Sequence, residues 1–125
     1  KIYNSWPLMG TTFFPNDSSL YSLFKFTAFS EPSLVQFMHR NLAYFIMLIY
    51  LITLYLVISN RLAKFYKTIL ILGLTLLLQI GLGIWTITSG AQMFIASMHQ
   101  ISSILLVSFS VYFLFINTKK INLQP

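Results

Sequence analysis

The stretch that decides the fold is residues 68–118, TILILGLTLLLQIGLGIWTITSGAQMFIASMHQISSILLVSFSVYFLFINT, which contains no Asp, Glu, Lys or Arg. A helix needs about 20 apolar residues to cross a hydrocarbon core of about 30 Å, so this stretch can form two spans. The small residues of TSGAQ, at 88–92, predict the break between them. Upstream, residues 41–60 also lack charge and predict one more span. We therefore predict an all-α integral membrane protein with three transmembrane helices, near residues 33–59, 68–88 and 93–116.

The composition supports a membrane protein. Of the 125 residues, 57% are hydrophobic and 8% are charged, whereas about a quarter of the residues of a soluble domain are charged. The apolar runs are continuous rather than alternating, which disfavours a β-barrel. The absence of cysteine excludes disulfides and thiolate ligands within this chain. A start at Lys1 without a signal-peptide pattern leads us to expect a fragment, a processed product or one part of a split protein.

The basic residues predict the orientation of the helices. Arg61, Lys64 and Lys67 lie between the first two spans, and the basic tail 119–125 begins with two lysines. Because short loops rich in Lys and Arg stay on the inner side of a membrane, we place this connection and the tail in the cytosol or the mitochondrial matrix. Residues 1–32 and the TSGAQ turn then face outside. The net charge of +6 reflects this topology, and we predict no nucleic-acid partner.

Residues 1–32 form an outer segment that is too long for a plain turn and too aromatic for a linker. Its Leu20, Leu23, Phe24 and Ala28 recur at helical spacing, which favours a short helix lying on the membrane surface. A loop that caps the helices explains the same residues equally well.

The candidate functional residues are polar groups inside the spans, where they are costly. These are His39, Arg40 and His99. The chain has two carboxylates, Asp17 and Glu31, which are far apart in sequence and form no acid/base pair. We therefore predict no catalytic residue in this chain and examine the histidines as ligands.

His39 and His99 are expected at one depth, because they follow Leu34 and Met93, near the starts of the first and third spans, by five and six residues, or about 8 to 9 Å. Two imidazoles facing each other on parallel helices can bind a haem iron from both faces. Small residues near them in the helix leave room for a macrocycle: Ala43, Ala96, Ser102 and Ser103. A single intramembrane histidine can equally form a hydrogen bond to a neighbouring helix. Arg40 is suited either to a haem propionate or to the lipid headgroups.

The second span carries three glycines, which we interpret as close-packing positions: Gly73, Gly81 and Gly83. Its single Gln79 is a candidate for one hydrogen bond between helices.

Four motifs resemble a known family. YNSWPLMG, EPSLVQFMHRNLAY, LLLQIGLGIWTI and ASMHQISSILL, in this order and spacing, are similar to the C-terminal half of the haem A synthase family, which makes haem A for cytochrome oxidase. The resemblance covers nearly the whole chain. The absence of cysteine matches the mitochondrial and alpha-proteobacterial type, and implies a mitochondrial inner membrane or a bacterial plasma membrane.

The resemblance implies a fold and a function. Family members have two similar four-helix bundles, of which the C-terminal one holds haem b between two histidines that match His39 and His99. The N-terminal half carries the substrate haem and a catalytic glutamate. The family oxidises the C8 methyl of haem O to the formyl group of haem A with oxygen from water, so electrons must leave. The expected partners are the N-terminal half, in the same or a separate chain, the substrate haem O and the lipid bilayer.

This sequence departs from the family pattern at two places near His39. Met38 stands where an acidic residue is expected, and Pro32 stands where an asparagine is expected. The first helix of the C-terminal bundle is also absent, so the three spans form most of a four-helix bundle.

Two alternatives to this function stay open on the residues alone. The chain fits a three-helix haem b anchor of a respiratory complex such as succinate dehydrogenase. It also fits a structural membrane protein whose histidines only pack. Assembly into a homo-oligomer is compatible with each of these functions.

Overall fold

Three long helices make up most of the computed structural model, which describes residues 2–118. Helix α1 spans Pro32–Ser59, α2 spans Tyr66–Thr88 and α3 spans Met93–Thr118. Each is long and apolar enough to cross a membrane, so the prediction of an all-α fold with three transmembrane helices is confirmed. The described part of the chain contains no strand and no fourth long helix.

Two helix ends differ from the expected positions. Helix α2 begins at Tyr66 rather than at residue 68, and α3 continues to Thr118 rather than ending at residue 116. Long polar side chains can extend a span in this way, because their apolar parts lie along the helix while their polar ends reach the headgroups. The extra turn of α2 contains Lys67, whose four-carbon side chain suits such a position.

The break between α2 and α3 has a local cause. Gly90 has a φ of 74°, and the next amide, that of Ala91, donates to the carbonyl of Thr86 at 2.8 Å. Such a bond around a left-handed residue closes a helix by satisfying its last carbonyls, and glycine adopts this conformation without a steric penalty. The glycine of TSGAQ therefore ends α2 and lets the chain turn back into α3.

The connection between α1 and α2 lies at the same end of the molecule as the end of α3. Lys64, in a 3-10 turn at Ala63–Phe65, donates from Nζ to the carbonyl of Ile116 at 2.8 Å. A cation is favourable there, because the carbonyl end of a helix carries partial negative charge. The assignment of this end to the inner side stays a prediction. The predicted basic tail, with Lys119 and Lys120, lies outside the described residues.

The outer segment, for which a short helix and a capping loop were both open, combines short helical and extended pieces. It contains two 3-10 helices, Leu20–Phe24 and Phe26–Ser30, separated by Lys25 in extended conformation. Of the residues in these two 3-10 helices, Ala28 is the one that is buried. Their large side chains are strongly exposed: Leu20, Tyr21, Phe24, Phe26 and Phe29. Exposed aromatic rings directly before a membrane span suit the headgroup region of a bilayer.

The three helices are packed unequally. Helix α2 packs mainly against α3, while α1 meets α2 over a shorter length. One contact of α1 is Tyr50, which lies over Gly73 and donates from its hydroxyl to the carbonyl of Ile69 at 3.2 Å. An open apolar cavity of about 190 Å³ lies beside this contact, so α1 and α2 do not fill the space between them.

Candidate functional site

The two histidines meet between α1 and α3. Their ring centres are 6.2 Å apart and their planes are inclined by 78°. His39 is exposed and His99 is half-buried. Residues 60 positions apart in sequence are thus brought side by side, at one level of the helices, as the depth argument predicted. Their role as ligands stays a prediction.

The ring of His99 is held by α2. Its Nδ1 lies 3.1 Å from the backbone carbonyl oxygen of Gln79. A carbonyl oxygen only accepts, so this contact assigns the proton to Nδ1 and leaves the lone pair on Nε2. The Nε2 atom lies 3.4 Å from the side-chain nitrogen of Gln79, which is long for a hydrogen bond. The nitrogen that carries the lone pair therefore has only this long contact among the described residues.

Gly83 gives His99 the room to lie against α2. A Cβ atom built on Gly83 would lie 3.0 Å from Cε1 of His99 and 3.5 Å from Nδ1. Such a contact is closer than carbon atoms normally approach. Gly83 was predicted as a close-packing position, and the structure shows that the group packed on it is the imidazole of His99.

The side chain of Gln79 makes the hydrogen bond between helices that the sequence suggested. Its Oε1 accepts from the hydroxyl of Ser102 on α3. Ser102 is buried, with 6% of its surface exposed, and faces α2. The hydroxyl of Ser102 thus joins α3 to α2, and its expected place beside a macrocycle stays a prediction. Ser103 instead donates within α3, to the carbonyl of Gln100.

Arg40 binds the outer segment. It is 7% exposed, and its two terminal nitrogens donate to the carbonyls of Pro7, at 2.5 Å, and Phe13, at 3.1 Å. The guanidinium also lies 5.3 Å from the centre of the Phe13 ring. Its Nε is buried and has no hydrogen-bond partner within residues 2–118. Nothing in the local sequence pattern indicates this role, and the contact of Arg40 with a haem propionate stays a prediction.

A second tether joins the outer segment to α1, and sequence reasoning missed it. The side-chain amide of Gln36 accepts from the backbone amide of Tyr3 at 3.0 Å and donates to the carbonyl of Tyr3 at 2.7 Å. Phe37 packs edge-on against the rings of Phe13 and Phe14. The spacing of Gln36, Phe37 and Arg40 could have indicated one polar and aromatic helix face, but not the segment that covers it.

The separation of the two ring centres matches the one that a haem held by both imidazoles would require. Two imidazoles on opposite faces of one iron have ring centres about 6 Å apart, because a metal–nitrogen bond is about 2 Å long and each ring centre lies about 1 Å beyond its nitrogen. The observed separation is 6.2 Å. No group of three or more ligating side chains for a bare metal ion occurs among the described residues. A haem requires only axial ligands from the protein, so two histidines suffice.

Comparison with known protein families identifies the family to which the chain belongs. The profile of the family described as "Cytochrome oxidase assembly protein" matches residues 1–111. The chain belongs to the haem A synthase family of cytochrome oxidase assembly proteins. No solved structure matched the chain.

Proteins of the haem A synthase family from several bacteria are similar to the chain. It is 43% identical to "Heme A synthase" of Pelagibacter ubique over 107 residues, covering 86% of this chain and 31% of that protein. The identity to "Heme A synthase" of Rickettsia felis is 33%, covering 92% of this chain and 34% of that protein. For Rickettsia prowazekii it is 34%, covering 94% and 35%. The chain therefore spans about a third of the length of the curated relatives it matches.

Membership of this family links the chain to haem A biosynthesis and to a multi-pass membrane protein. The family differs from that of the respiratory-complex anchor, so this alternative is set aside. The interpretation as a purely structural membrane protein loses support for the same reason.

Proposed function

We propose that this chain is the C-terminal half of a haem A synthase and binds haem b between His39 and His99. The observation that carries the proposal is the pair of imidazoles, 6.2 Å apart on two helices. The carbonyl of Gln79 supports it, because it leaves Nε2 of His99 available for a metal.

Each residue has a distinct part in this proposal. His99 and His39 would hold the haem iron, and His99 would do so through the nitrogen that carries the lone pair, Nε2. Arg40 carries one buried N–H without a partner among residues 2–118, which supports a hydrogen bond from Nε to a haem propionate. A bound haem b supplies one-electron transfer, and the surrounding spans keep it in a region of low dielectric.

The whole protein would oxidise the C8 methyl of haem O to the formyl group of haem A, as the family resemblance implies. The carbon gains oxygen from water and loses electrons and protons, so the reaction needs a route for electrons. This chain provides the histidines for such a route. The N-terminal half would provide the substrate site and the acid/base group, since no pair of carboxylates is present here. The proposed location is a mitochondrial inner membrane or a bacterial plasma membrane.

The test is the haem content of the full-length protein with His39→Ala or His99→Ala. We expect each variant to lose the low-spin reduced spectrum of haem b and about one haem per chain. Added imidazole should restore the spectrum, because it can replace a missing axial ligand but cannot repair a misfolded helix. The control is Gln100→Ala, which changes an exposed polar residue next to His99.

Two results would contradict the proposal. One is an unchanged low-spin spectrum in both histidine variants. The other is loss of haem to the same extent in Gln100→Ala, which would indicate damage to α3 rather than loss of a ligand.

A further inference from the structure

Helix α2 supplies no histidine, yet it contacts the ring of His99. Besides the long contact of the Gln79 side chain with Nε2, at 3.4 Å, it makes two further contacts. The first is the carbonyl of Gln79, 3.1 Å from Nδ1. The second is Gly83, four residues later and on the same face of the helix, whose missing side chain leaves space for Cε1. The two contacts act on neighbouring atoms of one ring, so together they define its rotation and its proton position.

The three glycines of α2 differ in what they face. A Cβ on Gly83 would approach Cε1 of His99 to 3.0 Å, and a Cβ on Gly73 would approach the hydroxyl of Tyr50 to 2.0 Å. A Cβ on Gly81 would meet no atom within 4 Å. The absence of a side chain is thus required at Gly83 and Gly73 but not at Gly81, and only Gly83 faces the histidine.

We propose that α2 sets the orientation and the proton position of the axial ligand His99, with Gly83 as a positioning residue and the Gln79 carbonyl as its hydrogen-bond partner. This inference rests on the proposed haem b function. It adds that α2, which supplies no ligand, influences the midpoint potential of the haem through its contacts with His99.

The expected consequence is electronic. An imidazole that donates its N–H to a carbonyl is a more basic ligand, and a more basic ligand favours the oxidised iron. Pushing the ring away from α2 by a few tenths of an ångström weakens this hydrogen bond. The midpoint potential of the haem should therefore rise.

The first experiment compares Gly83→Ala with Gly81→Ala in the haem-loaded, full-length protein. Both variants add one methyl group to the same helix, two residues apart. We expect a higher midpoint potential and a changed low-spin electron paramagnetic resonance spectrum in Gly83→Ala, and neither change in Gly81→Ala. Equal potentials in the two variants would overturn the role of Gly83.

The second experiment tests the hydrogen bond to the Gln79 carbonyl, and it does not require the Gly83→Ala variant to fold. The cavity of His99→Ala is filled with imidazole, which can donate to the carbonyl, or with 1-methylimidazole, which cannot. We expect imidazole to bind about 2- to 10-fold more tightly, the range for one neutral hydrogen bond. The same pair of ligands in His39→Ala gives the control, because the ring of His39 has no hydrogen-bond partner within the described residues. The same preference in both cavities would overturn the inference.

Failure of this inference is distinguishable from failure of the proposed function. If the unsubstituted protein binds no haem through these histidines, the proposed function fails. If it does bind haem, and neither the potential nor the imidazole preference depends on α2, only the inference fails.

Discussion

The two histidines belong to parts of the molecule that are held together differently. His99 lies in the α2–α3 pair, where the helices pack along much of their length and Gln79 contacts both Ser102 and the imidazole. His39 lies on α1, whose N-terminal part is bound to the outer segment through Gln36 and Arg40. The ring of His99 is half-buried, and that of His39 is exposed. One side of the site is thus preorganised, and the other can adjust.

This difference bears on the cost of binding a large planar ligand. A side chain whose orientation is already set in the folded protein loses less conformational entropy when it binds. The imidazole of His39, exposed and without a hydrogen bond among residues 2–118, lacks such a constraint. Four changes test whether α1 and the α2–α3 pair are fastened as differently as the contacts indicate.

The largest effect is expected for Arg40→Leu. The substitution leaves the carbonyls of Pro7 and Phe13 without their charged donor, and hydrogen bonds to a charged group contribute about 1.5 to 3 kcal/mol each. We expect the outer segment to be destabilised by about 3 kcal/mol, measured by hydrogen exchange of its amides. Arg40→Lys should retain part of this stability, because its ammonium can donate to one of the carbonyls. It should not retain all of it, since one ammonium cannot reach both carbonyls equally well.

The matched control for Arg40 is Lys25→Ala, which removes a cation from the exposed part of the outer segment. It should leave the exchange rates near Pro7 and Phe13 unchanged. Equal effects of the two substitutions would show that net charge, rather than the two hydrogen bonds, holds the segment.

Gly73→Ala should loosen α1 from α2. The new methyl group would displace the Tyr50 hydroxyl and break its bond to the Ile69 carbonyl, at a cost of about 1 to 2 kcal/mol. Thermal unfolding in detergent measures the change. Combined with Tyr50→Ala, the same substitution should cost much less, since its steric partner is gone. Additive costs in the double variant would argue against this contact.

Ser102→Ala is expected to have a smaller effect on the α2–α3 pair. Hydrogen bonds between membrane helices contribute about 0.6 kcal/mol on average, and the pair keeps its other contacts. Ser103→Ala is the matched control, because that hydroxyl donates within α3. Unfolding in a denaturing detergent should distinguish the two variants, and an equal loss of stability would contradict the assignment.

The smallest effect concerns Asp17 in the outer segment. Desolvation raises the pKa of this carboxyl, but hydrogen bonds from Ser33 and Tyr3 outweigh it, so that the pKa falls below the ordinary value of 3.8. The stabilisation is therefore present above pH 3.8 and is lost as the pH falls through the lower, folded value. Protease cleavage of the segment should increase in this acidic range, and Asp17→Asn should flatten the dependence.

The three spans could be predicted because their cause is local in sequence. Runs without charge leave a helix as the only way to satisfy the backbone in lipid, and the glycine of TSGAQ supplies the turn. The proximity of His39 and His99 also followed from helical rise and chain direction. These features depend on periodicity and length, which a single sequence contains.

Other features depend on contacts across the chain and could not be predicted. The bonds from Arg40 to Pro7 and Phe13 join residues about 30 positions apart. The outer segment, for which a short helix and a capping loop explained the sequence equally well, has two 3-10 helices separated by the extended Lys25. The hydroxyl of Ser102 donates to Gln79 on the neighbouring helix. In each case a side chain binds a segment whose position the local pattern does not determine.

The contact between His99 and Gln79 has a consequence for mutational scanning. The group that binds the ring is a backbone carbonyl, which every amino acid carries, so replacements at Gln79 would retain it while the helix stays intact. Gly83 forms no hydrogen bond through a side chain, yet every substitution there adds atoms against the ring. In a scan of side chains, an effect at Gly83 would report the contact with the ring, whereas an effect at Gln79 would report its side-chain contacts and not the carbonyl that binds Nδ1.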